Sequence, residues 1–226
     1  LFRKTNQNRV LEPLAQKIEK VYSNYWLLSL NNKWQSVINS MDKWDTTNRY
    51  AQQRFFNNYV KPVIGKGQRL FVIVTDGLRY ECGEEYVKIL SKEQRYDSSL
   101  KYAFTSLPSY TQLGMAALLP HKSIEISDKS DAVKVDGFPA SGLAGRTRIL
   151  EGCSDFRATA VTAEEFMRMN SGTEGREFVK KYDLIYIFHN RIDKIGDDKT
   201  TEEKVFEAVE DELNYLTDLV KKVTNM

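Results

Sequence analysis

The sequence predicts an α/β fold: a mostly parallel sheet with helices on both faces, preceded by a helical N-terminal segment. Three observations carry this prediction. Leu70–Val74 and Leu184–Phe188 are short, continuous apolar runs rich in β-branched and aromatic residues, the pattern of strands buried on both faces. Strand candidates alternate with stretches of helical periodicity, which implies parallel strands joined by crossover helices. The first 69 residues instead carry apolar side chains at helical spacing with little β-branched content.

In the first segment, Leu11, Leu14, Ile18, Val21, Tyr25 and Leu28 recur at helical spacing. Trp34, Val37, Ile38 and Met41 suit a second helix, and Tyr50, Phe55, Phe56 and Tyr59 a third that ends at Pro62. Such aromatics can stack on single-stranded bases, but the same spacing serves a packing surface. Pro62, Gly65 and Gly67 mark 61–69 as a linker. The expected organisation is therefore a helical, aromatic-rich segment over 1–69 and an α/β domain over 70–226.

The first strand ends in Thr75-Asp76-Gly77 and leads to a helix from Glu81 to Lys92. Lys101–Phe104 reads as a second strand, Thr105–Ser109 as a turn, and Tyr110–Leu118 as a helix with Pro108 suited to its first turn. Residues 121–150 read as loop, because Gly137, Pro139, Gly142 and Gly145 interrupt any long element. Arg157–Val161 is a third strand candidate. A helix follows from Ala163, with Thr162 as N-cap and Glu165 completing a capping box. After the fourth strand, His189–Asp198 is a polar stretch, and the last helix spans Thr201–Val223 with Val205, Val209, Leu213, Leu216, Val220 and Val223 as its stripe.

Composition bounds the function. Of 226 residues, 41% are hydrophobic and 28% charged, ordinary globular usage that excludes a fully disordered chain. No apolar run approaches the roughly 20 residues that span a bilayer. Cys82 and Cys153 make no disulfide framework, and no secretion signal opens the chain, so a cytoplasmic protein is expected. The chain begins with Leu1, which suggests a fragment of something longer. Residues 1–69 hold twelve Lys/Arg against four acids, a balance of +8, so the rest carries −6 of the net +2. A basic arm can attract nucleic acid, or contact an acidic neighbour.

In parallel α/β sheets the site lies outside the carboxyl ends of the strands. Three polar groups stand there. Asp76 directly follows a buried strand and can ligate a metal, act as nucleophile or cap the next helix. Thr105 and Ser106 precede a helix, where a hydroxyl can meet a phosphate or merely shape a turn. Asp193 and Asp197, with Gly196 between them, can turn inward on one loop; oxygen and imidazole ligands together suit Zn²⁺ or Mn²⁺. His189 is a ligand, a supporting group or a satisfied strand-end histidine. The Walker, dinucleotide-binding and nucleophile-elbow signatures do not occur.

Val72–Glu81, Thr105–Pro120 and Tyr186–Asp197 together resemble the PglZ family, an alkaline-phosphatase-superfamily component of BREX and phage growth limitation systems. The resemblance covers roughly residues 70–226 and implies an alkaline-phosphatase-like core. It places a metal ligand at Asp76 and the nucleophile at Ser106 of Ser106-Leu107-Pro108, with Thr105 one residue away. The superfamily metal motif D-x-x-G-H falls on Asp193-Lys194-Ile195-Gly196-Asp197, with aspartate where histidine is usual. Arg79 is a phosphate-binding candidate or a structural ion-pair partner. The chain contains no Asp-His pair, which the family carries on a following strand, so the resemblance implies a truncated domain with an incomplete site and no activity in isolation. The implied chemistry is hydrolysis of a phosphate ester with two divalent ions (Zn, or Mn or Mg) roughly 4 Å apart and a covalent phospho-enzyme. Implied partners are other BREX-type defence proteins and possible DNA, with no membrane. The alternative is a catalytically silent assembly or nucleic-acid-binding module.

Overall fold

A computed structural model of the protein describes residues 8–42, 44, 50–127, 130–197 and 205–226. The chain forms two compact units, Leu1–Asp45 and Thr46–Met226.

In the first unit, α1 (Asn8–Val21), a π-helical stretch (Tyr22–Leu27) and α2 (Leu28–Asn39) run on as one helix. The expected break between two helices is absent because no glycine or proline occurs from Leu14 to Asn39. No residue of α2 is buried.

The second unit opens with a 3₁₀ turn (Gln52–Arg54), a π-helical stretch (Phe56–Val60) and α3 (Lys61–Ile64). Pro62 sits in the first turn of α3, where its missing N–H costs nothing, rather than ending the preceding helix. Phe56 and Val60 are buried in the same core as the sheet, so these residues belong with the α/β unit.

Three parallel strands form the main sheet: β1 (Leu70–Thr75), β5 (Ala158–Thr162) and β6 (Leu184–His189), in the order β1-β6-β5. All six residues of β6 are buried, as a central strand covered on both faces requires. Register is continuous, with Val72 opposite Tyr186 and Ala160 opposite Tyr186 on the other side. One face packs Val72, Val74, Leu184, Tyr186 and Phe188 with α5 (Thr111–Ala117) and α6 (Gly142–Glu151). The other packs Val161, Ile185 and Ile187 with α7 (Ala163–Arg168), α8 (Glu174–Lys180) and α10 (Val205–Thr224). Burying each such side chain contributes roughly 1.5–3 kcal/mol before conformational entropy is counted.

Among the described residues no strand pairs with the outer edge of β1. Leu70 and Asp76 donate their N–H groups to Asp183 and His189, so the even positions face β6. The N–H and C=O groups of Phe71, Ile73 and Thr75 therefore face outward. An apolar hollow of about 380 Å³ lies along this edge, lined by Ile73, Leu118, Leu216 and Val220 among others.

Several elements differ from expectation. Lys101–Phe104 does not join the sheet; Phe104 makes only an isolated bridge to Ala51. The stretch 121–150 is ordered into a small antiparallel sheet, β2 (Ile124–Ile126), β3 (Val133–Val135) and β4 (Phe138–Pro139), followed by α6. Its glycines shape the ends: Gly137 (φ +83°) turns between β3 and β4, and Gly142 (φ +65°) opens α6. The capping box at Thr162 and Glu165 is present as expected. Between them, α4 (Tyr80–Leu90) and α9 (Arg191–Asp197) follow β1 and β6. The expected start of the last helix at Thr201, and Asp198, lie outside the described residues.

Candidate functional site

The ends of β1 and β6 stand side by side. Thr75 pairs with His189, and the Asp76 N–H donates to the His189 carbonyl at 2.9 Å. Gly77 then turns with φ +80°, so tightly that an added Cβ would lie 3.1 Å from Ile192 Cγ2 and 3.2 Å from the Asp193 nitrogen. This close approach needs glycine, and it sets the loop after β1 against the start of α9. The expected polar loop over Asp193–Asp197 is helical instead, with Asp193 in the first turn, where the helix dipole favours an acid.

A cleft of about 630 Å³ opens here, lined by Asp76, Glu164, His189 and Asp193 with Arg146 and Lys194. Thr111 and Gln112 of α5 and Thr162 complete its polar wall. His189 is only 4% exposed. Its Nδ1 lies 2.6 Å from Glu212 Oε1, and Glu212 is fully buried. Its Nε2 faces Glu164 Oε1 at 3.4 Å, and Tyr215 stacks on the ring at 4.6 Å between centroids. Glu212 thus occupies Nδ1, which leaves Nε2 as the imidazole atom on the cleft side. Burial pushes the Tyr215 phenol up, and the neighbouring Glu164 and Glu212 charges push in the same direction.

Arg146, on α6, stacks its guanidinium over the Phe188 ring at 4.6 Å. Burial pulls the guanidinium down from its ordinary value, and the Asp76 charge opposes that shift.

The structure brings Asp76, His189 and Asp193 together on this cleft. Ser106 and Thr105 are not among its lining residues. Ser106 is buried, its hydroxyl accepting from Gln53 Nε2 at 2.8 Å, and Thr105 Oγ1 donates to the Ser106 carbonyl at 3.3 Å. Arg79 is exposed at the N-cap of α4 and does not line the cleft. Asp197 closes α9, and its side chain lies outside the described residues. Among the described residues no three His, Cys, Asp or Glu side chains are gathered to hold a metal ion. Asp76 and Asp193 therefore do not make a closed ion site with their described neighbours.

Sequence reasoning missed Glu164, Arg146 and Glu212. Glu164 adjoins the capping box and was detectable as the acid next to the fourth-strand histidine only once β5 and β6 were paired. Glu212 falls on the buried side of α10 beside Leu213 and Leu216, an acid on an apolar stripe, which is a readable signal. A second hollow of about 450 Å³ lies at the amino end of β5, lined by Arg157 and Asp183 among others. Those two ions bond each other at 2.8 Å, so that hollow offers no unsatisfied charge of theirs.

No helix among the described residues is long and apolar enough to cross a membrane. Residues 55–226 match the family model described as the BREX system PglZ alkaline phosphatase-like domain. The chain is 39% identical over 222 residues to the alkaline phosphatase-like protein BrxZ of Escherichia coli O9:H4 (strain HS), which covers 96% of this chain and 25% of that protein. It is 34% identical over 215 residues to the alkaline phosphatase-like protein PglZ of Bacillus cereus (strain H3081.97), 94% of this chain and 25% of that protein. The chain spans about a quarter of the length of these curated relatives.

Proposed function

The chain belongs to the PglZ family of alkaline-phosphatase-like domains, and from that membership we propose that the full-length protein is a phosphatase or phosphodiesterase acting in a BREX-type antiphage defence system. The observation that supports this most is the convergence of Asp76, His189 and Asp193 on one cleft at the carboxyl ends of β1 and β6. That is where parallel α/β sheets place their ligands. The substrate class is a phosphate ester, Ser106 or Thr105 is the nucleophile, and Arg79 is a candidate for contact with the phosphate. A divalent metal (Zn, Mn or Mg, two ions in the complete protein) belongs to the same reading. Asp76, Asp193, Asp197 and His189 are its candidate ligands, completed from elsewhere in the full-length protein. Other BREX-type proteins are the proposed partners and the cytoplasm the proposed location.

A second reading, a catalytically silent assembly or nucleic-acid-binding module, is favoured by one contact. The Ser106 hydroxyl is engaged by Gln53 rather than by the cleft. The two readings separate in one experiment on the full-length protein: bound metal by elemental analysis, and hydrolysis of bis-p-nitrophenyl phosphate, with Ser106→Ala and Thr105→Ala as controls. Turnover abolished by one of these substitutions supports the enzyme. A metal-free, inactive protein, with DNA affinity that falls steeply with salt, supports the second reading instead.

A further inference from the structure

Arg146 is unlike the other cations of the second unit. Its Nε–H is buried and has no hydrogen-bond partner, and among the described residues its guanidinium forms no ion pair. A buried donor without an acceptor is costly, and a functional role or a bound ion is among the reasons such a group is kept. Phe188 holds the guanidinium by its flat face at 4.6 Å, and that contact leaves the N–H groups, which lie in the plane, available at the edge. The same side chain lines the cleft that holds Asp76, Asp193 and His189. Three acids (Asp76, Glu164 and Asp193) share that cleft with it, but among the described residues none is joined to it by a hydrogen bond or ion pair.

We propose that Arg146 is the oxyanion-binding residue of this cleft, presenting its guanidinium edge to two oxygens of a phosphoryl group while Phe188 fixes its plane. This rests on the phosphate-ester reading above and assigns the phosphate contact to Arg146 rather than Arg79, which lies exposed outside the cleft. The recognition is a planar fork matched to two oxygens of a tetrahedral anion, which a lysine does not reproduce. Phe188 acts as the positioning residue for it, holding the plane of the guanidinium by stacking.

The test titrates inorganic phosphate calorimetrically into the full-length protein and into its Arg146→Met and Arg146→Lys variants, with bis-p-nitrophenyl phosphate turnover followed in the same preparations. Arg146→Met is expected to bind phosphate roughly ten- to hundred-fold more weakly, and Arg146→Lys to recover only part of that loss. Should the Met variant fail to fold, the Lys variant decides, since it keeps the charge and loses the fork. Unchanged phosphate affinity in a folded variant overturns the proposal, and so does a folded wild type that binds no phosphate. Phosphate binding that depends on Arg146 without any turnover keeps the proposal and removes the phosphatase reading. Turnover with Arg146-independent binding does the reverse.

Discussion

Replacing Glu212 tests whether the imidazole at the cleft is held from behind by a buried acid. Glu212 is fully buried, one oxygen lies 2.6 Å from His189 Nδ1, and its other oxygen, Oε2, has no partner. Glu212→Ala removes the acceptor, leaves the Nδ1 side of a buried ring unpaired, and leaves a void where a fully buried side chain stood. Breaking a buried pair in this way costs about 3–5 kcal/mol. Glu212→Gln keeps the shape and an acceptor oxygen, so its cost is about 1–2 kcal/mol. For a unit of this size each kcal/mol lowers Tm by roughly 2–4 °C, which puts the Ala variant about 10 °C below wild type and the Gln variant only a few degrees below. Replacing both partners, with His189→Leu and Glu212→Leu together, removes both polar groups at once and is expected to be less destabilising than the sum of the single changes. Thermal unfolding followed by circular dichroism measures this, with wild type, the Ala and Gln variants, the two single Leu variants and the double Leu variant all at one pH. A Glu212→Ala protein that melts within about 2 °C of wild type, or strictly additive single and double changes, would refute the pairing argument.

Three further outcomes follow from the same packing. Gly77→Ala forces a side chain into a left-handed backbone position and against Ile192 and Asp193, so it is expected to destabilise by more than about 1 kcal/mol and to weaken any ligand binding in the cleft; unchanged urea unfolding would count against the close approach. Tyr186→Phe deletes the hydroxyl that donates to the Leu118 carbonyl at 2.7 Å in a fully buried site, for an expected loss of about 0.5–1.5 kcal/mol by the same assay. Hydrogen bonds from the Arg157 side chain, then from its backbone, hold the Asp183 carboxyl down at about 2 against an ordinary 3.8. A carboxyl depressed on folding stabilises above its unfolded value, so the Asp183 contribution is full above about pH 4, fades between pH 4 and 2, and is gone below. Asp183→Asn should therefore flatten the stability-versus-pH curve in that window, and a curve identical to wild type there would contradict the assignment.

How much was legible in the sequence depends on how much apolar burial each element carries. β6 was readable because a strand buried on both faces must be apolar at every position, and Leu184–Phe188 satisfies this without exception; β1 was readable from the same kind of apolar run, although only Val72 and Val74 of it are buried. The Thr162–Glu165 box was readable because capping chemistry is local. The stretch 121–150 was not. Its three strands are at most three residues long and bury little more than Val133 and Val135, so no periodicity rises above its turns. Lys101–Phe104 has the composition of a strand, but its only β pairing is the bridge to Ala51, a tertiary fact. Asp76, His189 and Asp193 were findable because each follows a recognisable strand. Arg146 was not, since a single arginine on a glycine-punctuated helix gives no signal until Phe188 and Asp76 are placed beside it.

The pairing of β1 with β6 also sets a schedule for synthesis. The strand that covers the inner edge of β1 is made about 110 residues after it, which at 5–20 residues per second is a delay on the order of ten seconds. For that interval Leu70–Val74 is an apolar, uncharged strand with both edges bare. Even after β6 arrives, the backbone groups of Phe71, Ile73 and Thr75 stay turned outward. A ribosome-bound chain in this state offers a template for pairing with its neighbours on the same message. Slow translation ahead of β6 would lengthen that exposure, and chaperone holding of the β1 segment would be the natural remedy.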